Sequence, residues 1–123
     1  MWLANVDTIR KAVSAVRGMR PALTLIGGDF VYNPTEDEGK DVERDELEDV
    51  DENIRQISTL LGPLSSIGTP VFAVLGNHDY GMMERDSVRN DLMATRVKSA
   101  LERIGVTVLD NRSMDVHGLY VVG

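Results

Sequence analysis

The stretch VFAVLGNHDYG, Val71–Gly81, decides how the chain is read. Five apolar residues run unbroken to Gly76, and Asn77, His78 and Asp79 follow in consecutive positions. A short apolar run closed by glycine predicts a buried strand that ends in a tight turn. The polar triplet then stands at the carboxyl end of that strand. A second stretch, ALTLIGGDF (Ala22–Phe30), repeats the arrangement, with Gly27 and Gly28 closing the run and Asp29 after them.

Helical periodicity fills the intervals. Val6, Ile9, Val13, Val16 and Met19 recur at three- and four-residue steps, with Asn5 placed as N-cap and Gly18 and Pro21 at the exit. Leu47, Val50, Ile54, Ile57 and Leu61 outline a second helix from about Asp45, its first turns loaded with carboxylates that favour a helix N-terminus. Gly62, Pro63, Gly68 and Pro70 break the chain before the Val71 run. Val88, Leu92, Val97, Leu101 and Ile104 outline a third helix, ended by Gly105. VTVLD (Val106–Asp110) reads as a third strand, and NRSMDVHG as a turn opening an antiparallel return that ends in LYVVG. Helix–strand alternation of this kind predicts one α/β domain over 1–123, its sheet mostly parallel and flanked by helices, with a C-terminal antiparallel hairpin.

Parallel sheets bind ligands beyond the carboxyl ends of their strands. Right-handed crossovers put the Gly-Asp and Gly-Asn-His-Asp clusters on one rim, so Asp29 is expected to meet Asn77, His78 and Asp79 in space. Taken singly, each cluster is equally well read as a turn or a helix cap. Taken together they offer hard oxygen donors and an imidazole, a set suited to Mn²⁺, Mg²⁺ or Fe²⁺ with the histidine as ligand or general acid. Asp79 stands where it can orient or charge-stabilise that imidazole.

Charge and composition exclude other classes. The net charge of −7 opposes a nucleic-acid surface, which needs lysine and arginine against phosphate. Eleven acidic residues against Lys40 and Arg44 give the segment Glu36–Glu52 a local charge of −9, so the remainder sums to +2. This segment reads as a solvated loop and helix face, loosely packed from Asn33 to about Arg44, with a flap beside the rim as the rival reading. With no cysteine there is no disulfide framework and no thiolate site; a cytoplasmic location is compatible with this. No apolar run approaches the roughly 20 residues of a membrane-spanning helix. Tyr32 and Tyr80 flank the two clusters and are read either as packing residues or as substrate contacts. His117, in DVHG, reads as an exposed turn residue.

LTLIGGDFVY, followed 48 residues after Asp29 by Asn77 of VFAVLGNHDYG, resembles the second and third motifs of the calcineurin-like metallophosphoesterases. The similarity extends into GVTVLDNRSMDVHGLYVVG, so nearly the whole chain is covered. The resemblance implies a partial metallophosphoesterase α/β sandwich that hydrolyses phosphomonoesters or phosphodiesters, nucleotide or lipid-derived. It implies two divalent ions (Mn, Fe, Mg or Zn), with Asp29 bridging them and Asn77 ligating the second. It further implies that His78 stabilises the transition state or protonates the leaving oxygen, with Asp79 as its partner, while a metal-bound hydroxide attacks phosphorus.

The family pattern is incomplete. The Asp-x-His expected ahead of Gly28-Asp29 is not there, since Asp7 is followed by Thr8 and Ile9. The later lone histidine and Gly-His-x-His are also missing. The chain therefore reads as the middle of a domain, with a gap or exposed edge in the sheet that invites self-association. Such a chain is expected to be a weak or inactive enzyme, and a non-catalytic remnant or binding module with the same fold is the alternative.

Overall fold

Three parallel strands form the centre: β1 (Thr24–Ile26), β2 (Val71–Ala73) and β3 (Thr107–Val108), in the order β1-β2-β3. They belong to a computed structural model that describes residues 5–31, 42–82 and 88–123, with residues 42–49 described by their backbone alone. Thr24 pairs with Val71 and Ile26 with Ala73 on one side of β2, and Phe72 pairs with Thr107 on the other. All three residues of β2 are buried, as a central strand covered on both faces requires. The ladder continues past the strand ends: the Val74 N–H donates to the Ile26 carbonyl at 3.2 Å and the Leu109 N–H to the Ala73 carbonyl at 2.7 Å. The chain thus leaves β1 and β2 side by side at the same rim.

Helices α1 (Val6–Met19), α2 (Val42–Leu61) and α3 (Asp91–Arg103) pack over this sheet, with α2 touching both α1 and α3. Val13, Val50, Ile57, Leu61, Val97 and Leu101 from the helices meet Val71, Ala73, Val106 and Val108 in one apolar core. A 3₁₀ turn, Gly62–Ile67, extends α2 and is closed by Gly68 at φ 77°.

Several local expectations are corrected. Asn5 does hold the N-cap position of α1, but its side chain makes no capping bond, because its backbone is already helical rather than extended. Met19 lies on the surface beyond the part of α1 that faces the core. α2 begins at Val42, a turn earlier than about Asp45. Val88 and Leu92 are 88% and 63% exposed, and α3 starts only at Asp91. The face of α3 that packs inward is Met93, Ala94, Val97, Ala100 and Leu101, a stripe rotated from the expected one. Its true N-cap is Asn90, whose side chain accepts from the Met93 N–H at 3.0 Å. The acidic stretch from Glu36 to Lys40 and the contacts of Tyr32 lie outside the described residues.

β4 (Ser113–Val116) and β5 (Leu119–Val122) form the expected antiparallel hairpin, as a separate two-stranded sheet. At the opposite side of the molecule's main sheet, β1 is an edge strand and its Leu25 is 61% exposed. An open, largely apolar cleft of about 330 Å³ runs along it, lined by Val13, Val16, Ile26 and Leu64 and reaching Asp29.

Candidate functional site at the strand ends

Two glycines allow the exits of β1 and β2 to touch. A Cβ added to Gly28 would overlap the Gly76 nitrogen and stand 2.5 Å from the Leu75 carbonyl carbon. One added to Gly76 would overlap Asp29 Oδ1 and stand 2.7 Å from both the Asp29 Cγ and its backbone nitrogen. No side chain fits at either position, so backbone crosses backbone here. That contact, made before any polar group is considered, brings Asp29 against the Asn77–Asp79 segment.

Asp29 itself is left-handed, at φ 63°. Aspartate tolerates this region better than most residues, yet it remains an uncommon conformation that needs support from its surroundings. The support is visible. The N–H groups of Asp29, Phe30 and Val31 all point at one carboxylate, that of Asp79, with distances of 2.9, 2.7 and 3.0 Å. The Gly76 N–H adds a fourth bond at 2.9 Å. Each Asp79 oxygen accepts two of the four. Asp79 is fully buried, and burial pushes its carboxyl above the usual carboxylate range while the four N–H donors pull in the opposite direction.

The other groups of the rim are accessible. The Asp29 carboxylate is exposed and accepts the His78 N–H on Oδ1 at 3.2 Å. His78 opens a short 3₁₀ turn, His78–Tyr80, capped by Gly81 at φ 69°. Asn77 is exposed, and its Nδ2 donates to the Met82 carbonyl at 2.7 Å while the Met82 N–H returns to the Asn77 carbonyl at 3.0 Å. This assigns the amide: the nitrogen faces Met82, and Oδ1 is the atom presented as an acceptor. The Asn90 N–H donates to the Tyr80 carbonyl at 2.7 Å, tying the start of α3 to the same turn. The half-buried Tyr80 ring lies under the Arg89 guanidinium at 4.1 Å, and Arg89 is in turn bonded to Asp91 at 2.6 Å.

The structure therefore brings together the segments carrying Asp29, Asn77, His78 and Asp79, as expected of parallel strands that share a rim. Asp29 and Asn77 supply hard oxygens, which suit a divalent cation in kind. In number they fall short of a coordination sphere, and among the described residues no three His, Cys, Asp or Glu side chains are grouped to hold an ion.

A family model for the calcineurin-like phosphoesterases matches residues 3–121. The chain belongs to the calcineurin-like phosphoesterase family. A comparison with curated protein sequences finds no match. Gly28-Asp29 and Gly76–Asp79 both lie within the matched residues.

Other features of this phosphoesterase chain were less legible. The glycines were read as strand closures, and nothing in their spacing said that they would face each other. Asn90 is the cap that the apparent helical stripe from Val88 concealed, although Asn before an apolar helix is a recognised signal. One literal Asp-x-His does occur, Asp115-Val116-His117, well after Gly28-Asp29 rather than ahead of it. It forms the hairpin turn: the Asp115 carboxylate accepts from the Gly118 N–H at 2.9 Å, and both Asp115 and His117 are exposed. His117 is the turn residue it was expected to be.

Proposed function

We propose that this domain hydrolyses phosphoric esters, monoesters or diesters of nucleotide or lipid origin, with divalent metal, manganese foremost. The observation that carries the reading is the exposed Asp29 carboxylate, held left-handed beside His78 at the ends of two adjacent parallel strands. Asp29 and Asn77 Oδ1 are the protein's donors to the metal pair, which requires further donors to be complete. When bound, such a pair supplies the charge and the activated water that phosphoryl transfer needs. His78 faces the ester as the proton donor to its leaving oxygen or as a hydrogen-bond donor to the transition state. Asp79 acts on His78 only by fixing the turn that carries both, because its two oxygens are taken up by four backbone N–H groups. A cytoplasmic location fits the same reading, and no helix among the described residues is long and apolar enough to cross a membrane.

A second reading is a binding module that keeps the fold with little or no turnover, in keeping with the few donors that Asp29 and Asn77 supply among the described residues. Self-association through the exposed β1 edge accompanies either reading, because unpaired strand edges recruit other strands. The deciding experiment is a Mn²⁺ titration monitored by hydrolysis of a generic aryl phosphodiester and an aryl phosphomonoester. Turnover that saturates with Mn²⁺ and disappears in Asp29→Ala supports the hydrolase. Indistinguishable rates for the wild type and Asp29→Ala, with the fold intact in both, favour the binding module.

A further inference from the structure

The Asp79 carboxylate is not used as a turn-forming aspartate normally is. A side chain that only closed its own turn would accept from donors two or three residues away. Here one donor, Gly76, is local, and the other three lie 48, 49 and 50 residues back in the chain. Those three are consecutive N–H groups converging on one anion, an arrangement that a left-handed residue in the run favours. Asp29 is that residue. An ionised carboxylate offers about four acceptor positions, and the four N–H groups use that capacity.

We propose that Asp79 is the positioning residue of this site: by gathering the N–H groups of Asp29, Phe30, Val31 and Gly76 it sets the left-handed backbone of Asp29 and so aims the Asp29 carboxylate at the rim beside Asn77 and His78. The functional half of this assignment rests on the proposed cation site. Asp79 touches neither metal nor ester; it acts through the backbone of the residue that does. The same bond set joins the two strand exits, so a change at Asp79 reaches Asp29 and Gly76 together. Groups that orient ligands from behind typically change metal affinity by roughly 10–100-fold when removed.

The test is by nuclear magnetic resonance on the chain as it stands. In the wild type, through-hydrogen-bond couplings are expected between the amide nitrogens of Asp29, Phe30, Val31 and Gly76 and the Asp79 carboxylate carbon. Mn²⁺ is then titrated while the broadening of the Asn77 and His78 amide signals is followed. Asp79→Asn should weaken the apparent Mn²⁺ affinity by roughly 10–100-fold while the amides of Val97, Leu101 and Val106 keep their wild-type shifts. Asp79→Glu, which retains the carboxylate, should recover part of the loss. A folded Asp79→Asn with wild-type Mn²⁺ affinity overturns the positioning role. If Asp79→Asn does not fold, the wild-type couplings decide, and their absence for residues 29–31 overturns the proposal directly. Couplings present without any Mn²⁺ effect at Asn77 and His78 overturn the cation site, and with it the functional half, while leaving the clasp itself standing.

Discussion

Gly76-Asn77-His78-Asp79 and Asp115-Val116-His117-Gly118 use almost the same residue types, and the fold treats them in opposite ways. In the second, the aspartate accepts from the N–H three residues ahead, and His117 and Gly118 sit at φ 53° and 85° between paired strands. Everything that holds this turn lies within the turn. In the first, the aspartate is fully buried and most of its partners come from another strand's exit. A histidine beside an aspartate is therefore uninformative by itself. What separates a site from a hairpin turn is whether the acceptor is satisfied locally or from across the fold.

The sharpest way to break this contrast is through the glycines. Gly28→Ala places a methyl group inside neighbouring backbone, which cannot rotate aside, and Gly76→Ala places one against the Asp29 carboxylate and its backbone nitrogen. We expect a loss of about 3 kcal/mol or more, at the upper end of overpacking costs, or failure to fold. Gly118→Ala meets nothing within 4 Å, and its cost is limited to the left-handed backbone, about 1–2 kcal/mol. Thermal unfolding reads both, at roughly 4–8 °C for each kcal/mol in a domain near this size. Equal shifts for Gly28→Ala and Gly118→Ala would show that the strand exits do not depend on the close approach of Gly28 to Gly76.

The aspartates come next. Asp79→Asn keeps one acceptor oxygen but turns an NH₂ group toward two N–H donors. Leaving buried donors unpaired costs roughly 1–3 kcal/mol each, so about 2–6 kcal/mol is expected from denaturant unfolding. Asp115→Asn retains an oxygen for the Gly118 N–H in an exposed turn and should stay within about 0.5 kcal/mol of wild type. A neutral Asp79→Asn would mean that its four bonds contribute little to holding the strand exits together.

The same contrast explains what could be read from the sequence and what could not. The order of elements was legible, because apolar runs such as Val71–Leu75 and the three-four spacing of Ile9, Val13 and Val16 report local periodicity directly. The meeting of Asp29 with Asn77–Asp79 was also legible, since parallel strands share a rim. Where a helix starts depends on a cap and on tertiary packing, and Val88 was misplaced because its apolar character fits a helical stripe that the core does not cover. The four donors to Asp79 were beyond reach for a different reason. Backbone N–H groups carry no residue identity, so a sequence does not mark which carboxylate they will find.

Histidine substitutions test function apart from stability. If His78 assists the departing oxygen, His78→Gln should lower Mn²⁺-dependent hydrolysis by about 10²-fold or more, the low end of what a positioned acid contributes. His117→Gln should leave the rate unchanged, because its residue belongs to the hairpin turn. Steady-state rates at saturating Mn²⁺ separate the two, and equal small losses would remove His78 from the chemistry.

The smallest effect belongs to the hairpin itself. Val116 and Leu119 are paired, so His117 and Gly118 make up a two-residue loop, and both have positive φ. This is the pattern of a type I′ turn, whose backbone twist matches the strands it joins. Asparagine enters the left-handed region more readily than histidine, and Asn-Gly is the preferred pair for this loop. His117→Asn should therefore stabilise the hairpin, by a few tenths of a kcal/mol, within the range ordinary surface changes reach. Hydrogen exchange at the hydrogen-bonded cross-strand pairs, Met114 with Val121 and Val116 with Leu119, is the suitable probe, because it reports local opening that global unfolding would average away. Slower exchange there, with no change at Asp29 or Gly76, is the expected result. Faster exchange in His117→Asn would mean that the imidazole does more in the turn than occupy a left-handed position, and the hairpin would no longer serve as the purely local counterpart of the buried site.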